Sequence, residues 1–92
     1  MKVTETYDFG DSGYPVPAHR HPNGGGWVAN TAKVHKTAYV GPNAQIFGNA
    51  KVSGKAWVSG DAKVFGNAKV FGKAWVYGKA EVYGKARVYS DI

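Results

Sequence analysis

No cysteine occurs among the 92 residues, so disulfides and thiolate metal sites are excluded. No apolar run approaches the ~18–20 residues that a membrane-spanning helix needs, and no membrane partner is expected. The opening stretch MKVTETYDFGDSGYPVP lacks the apolar core of a secretory leader, so a cytoplasmic location is the expectation. Acidic side chains are also scarce: six Asp and Glu face twelve Lys and Arg, a net charge of +6. Threonine ladders of the ice-binding kind are missing, since only Thr31 and Thr37 fall within the regular part of the chain. A single domain of this length buries a modest share of its surface. Without disulfides or metal it is expected to draw on self-association.

What the chain does have is a phrase, Val-x-Gly-(Asn/Lys/Asp)-Ala-x, repeated from Ile46 to the C-terminus. An aliphatic residue recurs every six positions from Val28 to Val88, and alanine follows four places after each from Ala32 to Ala86. Glycine sits two places after the aliphatic residue from Gly48 to Gly84. A spacing of six does not fit an amphipathic helix. It does fit a short strand, x-Val-x, with the valine inward and its neighbours outward, followed by a glycine corner. Three strands and three corners close a coil of 18 residues, and an internal repeat of this kind predicts an all-β parallel β-helix. Residues 27–92 supply about three and a half such coils. Residues 1–26 carry Pro15, Pro17, Pro22 and Gly24–Gly25–Gly26. They predict an irregular N-terminal arm or cap, with one possible strand at residues 3–7.

Charge divides the same way. Residues 1–26 hold Lys2 and Arg20 against Glu5, Asp8 and Asp11, whereas residues 27–92 hold ten Lys and Arg against Asp61, Glu81 and Asp91. Two readings of the basic body stand open: attraction of anionic partners, and solubility from lysines that blunt a strand-rich surface.

An 18-residue coil stacks outward residues into columns. Face one shows Trp27, Gln45, Lys63 and Glu81 beside Ala29, Phe47, Phe65 and Tyr83. Face two shows Lys33, Lys51, Lys69 and Arg87 beside His35, Ser53, Phe71 and Tyr89. Face three shows Tyr39, Trp57 and Trp75 beside Gly41, Ser59 and Tyr77, and the corner between faces two and three carries Thr37, Lys55, Lys73 and Asp91. One column is purely basic and one purely aromatic. Exposed aromatic surface marks an interface. Aromatic rings next to Lys and Arg also suit a nucleotide-like anion, with the base stacked and the phosphate paired. His19, Arg20 and His21 in the arm, together with Trp27 and His35, complete the candidate ligand set. His19-x-His21 is half a metal site with no third ligand at suitable spacing, so no metal is expected. Gly24–Gly25–Gly26 precedes a strand rather than a helix and is not a phosphate loop. No cofactor is expected.

These repeats resemble the hexapeptide-repeat family. That resemblance implies a left-handed parallel β-helix, trimeric assembly, and, for the family's acyltransferases, a histidine general base, a role only His35 is placed to fill. The glycine here falls one position later than is usual in the family, as in Val64-Phe65-Gly66. The Gly25-Gly26-Trp27-Val28 run ahead of Ala-x-Val-x-Gly repeats is similar to a subgroup of bacterial and phage proteins, which places the expected cytoplasm in a bacterial or infected host cell. The acyltransferases carry loop insertions and further coils that shape their substrate sites; here the period runs from 28 to 88 without an insertion. The expectation is therefore a non-catalytic homotrimer that captures a small anionic nucleotide-like ligand between subunits, with sequestration as one use of that capture. Nucleic acid is not the expected partner. The alternatives are a structural trimeric spacer or tip and an acyltransferase.

Overall fold

A valine at every sixth position asks for a wall that turns every six residues, and the chain builds one. The computed structural model describes residues 5–10 and 13–90. Val3 and Thr4 of the expected first strand, and Asp91 of the last corner, lie outside them. All regular structure among the described residues is β. Face one is formed by β3 (Trp27–Ala29), β6 (Gln45–Ile46), β9 (Lys63–Val64) and β12 (Glu81–Val82). Face two is formed by β4 (Lys33–Val34), β7 (Lys51–Val52), β10 (Lys69–Gly72) and β13 (Arg87–Ser90). Face three is formed by β5 (Tyr39–Val40), β8 (Trp57–Val58) and β11 (Trp75–Val76).

All pairing between coils is parallel at a step of 18, for example Lys33↔Lys51↔Lys69↔Arg87 and Tyr39↔Trp57↔Trp75. No bulge disturbs the register, so every column falls where the 18-residue coil puts it. Backbone bonds between coils keep pace: Lys33 N donates to Ala50 O at 3.0 Å, Lys51 N to Ala68 O at 3.0 Å, and Lys69 N to Ala86 O at 2.9 Å. The interior holds aliphatic and alanine columns only. Val28, Val40, Ile46, Val58, Val64 and Val70 are fully buried, as are Ala38, Ala44, Ala50 and Ala56. Alanine is required beside each corner because the coil is narrow there, and the β-branched residue fills the middle of each wall.

Glycine alone makes the tight corners. Its φ lies between +63° at Gly60 and +70° at Gly66, and among the described residues no non-glycine residue has a positive φ. The Asn, Lys and Asp that follow need no left-handed backbone. The first coil has Asn30, Lys36 and Pro42 in place of glycine and closes with ordinary turns, such as Ala32 N to Ala29 O at 2.9 Å. Successive corners also touch: a Cβ built on Gly48 would lie 2.8 Å from Gly66 N.

The arm is more regular than its prolines suggested. β1 (Thr6–Tyr7) pairs antiparallel with β2 (Val16–Arg20), and β2 pairs antiparallel with β3. The ladder uses what proline retains: Asn30 N donates to Pro17 O and Ala18 N donates to Glu5 O, both at 2.9 Å. This ribbon extends face one and buries a second apolar cluster of Phe9, Ala18, Ala29 and Phe47 outside the coil. The turn at residues 21–26 closes the first coil. Gly26 N donates to Val40 O, and Val40 N to Asn23 O, both at 3.0 Å.

Candidate functional site

The strands carry the expected site residues onto three separate walls. On face two, Lys33, Lys51, Lys69 and Arg87 stand one above another, all exposed. Like charges directly opposite on neighbouring strands repel, so the column is unfavourable to the fold that displays it. A cavity of about 330 Å³ opens beside it, lined by Lys51, Ser53, Lys69, Phe71 and Arg87. A second recess of about 360 Å³ continues it toward the first coil, lined by Lys33, His35, Lys51 and Ser53 with Val34 and Val52.

The first cavity has a specific origin. On face one the outer aromatic column is continuous: Phe9, Phe47, Phe65 and Tyr83 stack at centroid distances of 4.9, 4.8 and 5.5 Å. On face two the matching column reads His35, Ser53, Phe71, Tyr89. Phe71 meets Tyr89 at 4.8 Å, but its other side looks toward Ser53 and has no ring partner. A small hydroxyl in place of a ring thus leaves one aromatic face open next to three cations. The described residues of face two include no acid.

His35 lies at the upper end of this groove. Its Nδ1 is 2.8 Å from Thr37 Oγ1, and the Thr37 hydroxyl donates on to Gly54 O. The Thr37 backbone N–H also points at the same Nδ1 at 3.3 Å, so the ring is oriented through Nδ1 against Thr37.

Face three carries Tyr39, Trp57 and Trp75 stacked at 4.4 and 5.3 Å with interplanar angles of 25° and 15°. Rings stacked along the column present edges, not faces, to the outside. Both faces of Trp57 are taken by its neighbours, which leaves it none for a planar ligand. Trp57, Trp75 and Tyr77 are 42, 63 and 65 % exposed, an apolar strip edged by Lys55 and Lys73.

The arm residues go elsewhere. His21 is 3 % exposed, and its Nε2–H donates to Ala38 O at 2.8 Å. It supplies the bond that a preceding coil would otherwise make, and is turned away from any exposed ligand surface. His19 Nδ1 bonds Asn30 Oδ1 at 2.6 Å. Arg20 donates from Nη1 to Gly25 O at 3.0 Å and lies 4.6 Å over the Trp27 ring, whose other face stacks on Tyr7 at 4.8 Å. Trp27 is therefore half-buried between its own chain's Arg20 and Tyr7, and the three line a separate recess of about 360 Å³ on face one with Gln45 and Asp61. Within one chain the structure brings the basic column and His35 together, sets Tyr39, Trp57, Trp75, Lys55 and Lys73 on the adjoining wall and corner, and keeps His19, Arg20, His21 and Trp27 on face one and the end of the coil.

Ser53 and Phe71 are the contributors that charge and aromatic columns alone did not single out. The signal was present as the one small residue set directly above a ring on face two. No group of three or more His, Asp or Glu among the described residues is arranged to hold a metal ion, and no helix is long and apolar enough to cross a membrane.

A family model for the YdcK beta-solenoid repeat matches residues 44–60, close to one full coil. No curated protein and no solved structure matches the chain. The similarity and the stacked parallel coils together make this a β-solenoid repeat protein.

Proposed function

We propose that the protein is a non-catalytic binding protein, working as a homotrimer of the hexapeptide-repeat type, that captures a small anionic nucleotide-like ligand on face two. The observation that carries this reading is the gap at Ser53. It opens one side of the Phe71 ring inside a cavity whose charged lining is Lys51, Lys69 and Arg87. An aromatic ring or base enters against Phe71, and its phosphate meets the cations; charge-assisted bonds of this kind are roughly twice as strong as neutral ones. Stacking adds roughly 1–3 kcal/mol per base. Lys33 and His35 extend the anion surface toward the first coil.

The exposed strip of Trp57, Trp75 and Tyr77 supports the trimer, since exposed apolar surface of this kind is normally covered by a partner. Tyr39, Lys55 and Lys73 then sit at the seam between subunits. Capture without turnover would let the protein sequester its ligand inside a bacterial or infected host cell.

Isothermal titration with AMP and with inorganic phosphate tests the ligand. AMP binding that is weakened at least tenfold by Phe71→Leu is expected, with phosphate alone binding more weakly. Absence of heat for both would remove the reading and leave the structural spacer, which the ring stacks on all three faces favour. Light scattering tests the trimer, because a species of 9.8 kDa would exclude it. The oriented ring of His35 favours the acyltransferase alternative, and acetyl transfer from acetyl-coenzyme A that is lost in His35→Ala would establish it.

A further inference from the structure

The charge on face two exceeds what a small anion can neutralise. Of the ten Lys and Arg between residues 27 and 90, four form the column on face two. Lys36, Lys55 and Lys73 edge that face on one side and Lys85 on the other, leaving only Lys63 and Lys79 elsewhere. The two acids of this region go the opposite way: Glu81 is on face one and Asp61 on the corner leading into it. The cavity at Phe71 uses three of the eight cations. Lys33 continues the column past it, four rungs spanning three steps or about 14 Å at about 4.8 Å per step, and Lys36, Lys55, Lys73 and Lys85 flank it. Neighbouring charges at that spacing lie well inside the screening length of about 8–10 Å at moderate salt. They repel one another along the whole column, and only a counter-charge of similar length relieves that repulsion throughout.

The ligand chemistry follows from the rest of the face. Among the described residues no helix or projecting ribbon stands out from it to enter a duplex groove. It offers rings beside the charge, Phe71 with one open side and Tyr89 at 57 % exposure. A positive track with aromatic platforms next to it is the arrangement that holds single strands, the phosphates on the track and the bases on the rings. We infer that face two binds single-stranded nucleic acid, with the sugar–phosphate backbone along Lys33, Lys51, Lys69 and Arg87 and a base lodged against Phe71. This rests on the reading of face two as an anion and ring site, and extends the ligand from a nucleotide to a strand.

The test is fluorescence anisotropy of the full chain with labelled oligothymidylates of about 4, 8 and 16 nucleotides, the usual range of site sizes, with AMP as competitor. Affinity is expected to rise at least tenfold from the shortest to the longest. Engaging about four to six phosphates gives a slope of log K against log salt of about −3 to −4. The double variant Lys51→Gln/Lys69→Gln should weaken binding at least tenfold and flatten the slope by about 1.4, two phosphate contacts' worth. Phe71→Leu should weaken binding and leave the slope unchanged, and Lys63→Gln on face one should change neither. Equal affinity for AMP and every oligonucleotide would overturn the strand while sparing the nucleotide reading. Binding to phosphatidylserine vesicles without binding to oligonucleotides would also overturn it. No binding of AMP or of any oligonucleotide would overturn both readings.

Discussion

Faces one and two share one backbone. Each has four parallel rungs at the same step, and each places a β-branched residue inward at every rung. Their outer surfaces differ in two respects. Face one mixes its column as Trp27, Gln45, Lys63, Glu81 and keeps its ring stack unbroken from Phe9 to Tyr83. Face two repeats one charge and breaks its ring stack at Ser53. Face one is also sheathed by the β1–β2 ribbon, whereas among the described residues no strand pairs with the outer edge of β4. The frame therefore accepts either surface. Repelling lysines beside an empty ring position are not needed for folding.

The largest expected effect removes the frame that both faces share. Gly48→Ala puts a side chain at φ +68° and 2.8 Å from Gly66 N. Left-handed strain and overpacking together should cost about 2–4 kcal/mol. Gly84→Ala has a similar φ of +66° but nothing within 4 Å, and should cost only about 1–2 kcal/mol. Urea denaturation of the two variants measures the gap, and equal losses would show that corner stacking contributes nothing.

Ring deletions come next. Phe65 lies half-buried between Phe47 and Tyr83, so Phe65→Ala should cost about 2–3 kcal/mol, below the range for a fully buried ring. Phe71→Ala, with one ring neighbour, should cost about 1 kcal/mol by the same denaturation assay.

Converting face two into face one is a subtler change. Ser53→Phe should complete the stack, raise stability by about 0.5–1.5 kcal/mol, and abolish AMP binding by filling the cavity. Retained binding would place the ligand elsewhere.

The smallest effect concerns charge. Lys51 has a like-charged neighbour on both sides, and Lys51→Gln should raise stability by about 0.5–1 kcal/mol at low salt. That gain should fade as salt screens the column. Lys63→Gln, between Gln45 and Glu81, should bring no gain, and thermal melts at two ionic strengths separate the cases.

Much of this was legible in the residues because each repeat specifies its neighbours. A step of 18 sets Lys33 over Lys51 and Tyr39 over Trp57 without any knowledge of distant parts of the chain. The arm was not legible, because its partners follow no period. Nothing local to His21 says that it will close the first coil through Ala38 O, or to Arg20 that it will lie over Trp27. The orientation of the rings was also hidden. A column of Tyr and Trp suggested platforms, but stacking turns Trp57 edge-on and leaves Phe71, a less conspicuous ring, as the one with an open side within the basic groove.

The sequence by itself determined the coil, the register and the composition of each column, because a six-residue period admits one way of putting every valine inside. Only the tertiary structure decided which rings have open faces, which histidine is turned inward, and where a serine among aromatics becomes a cavity. Those outcomes depend on contacts between side chains 18 or more residues apart and on an arm whose pairing no repeat encodes.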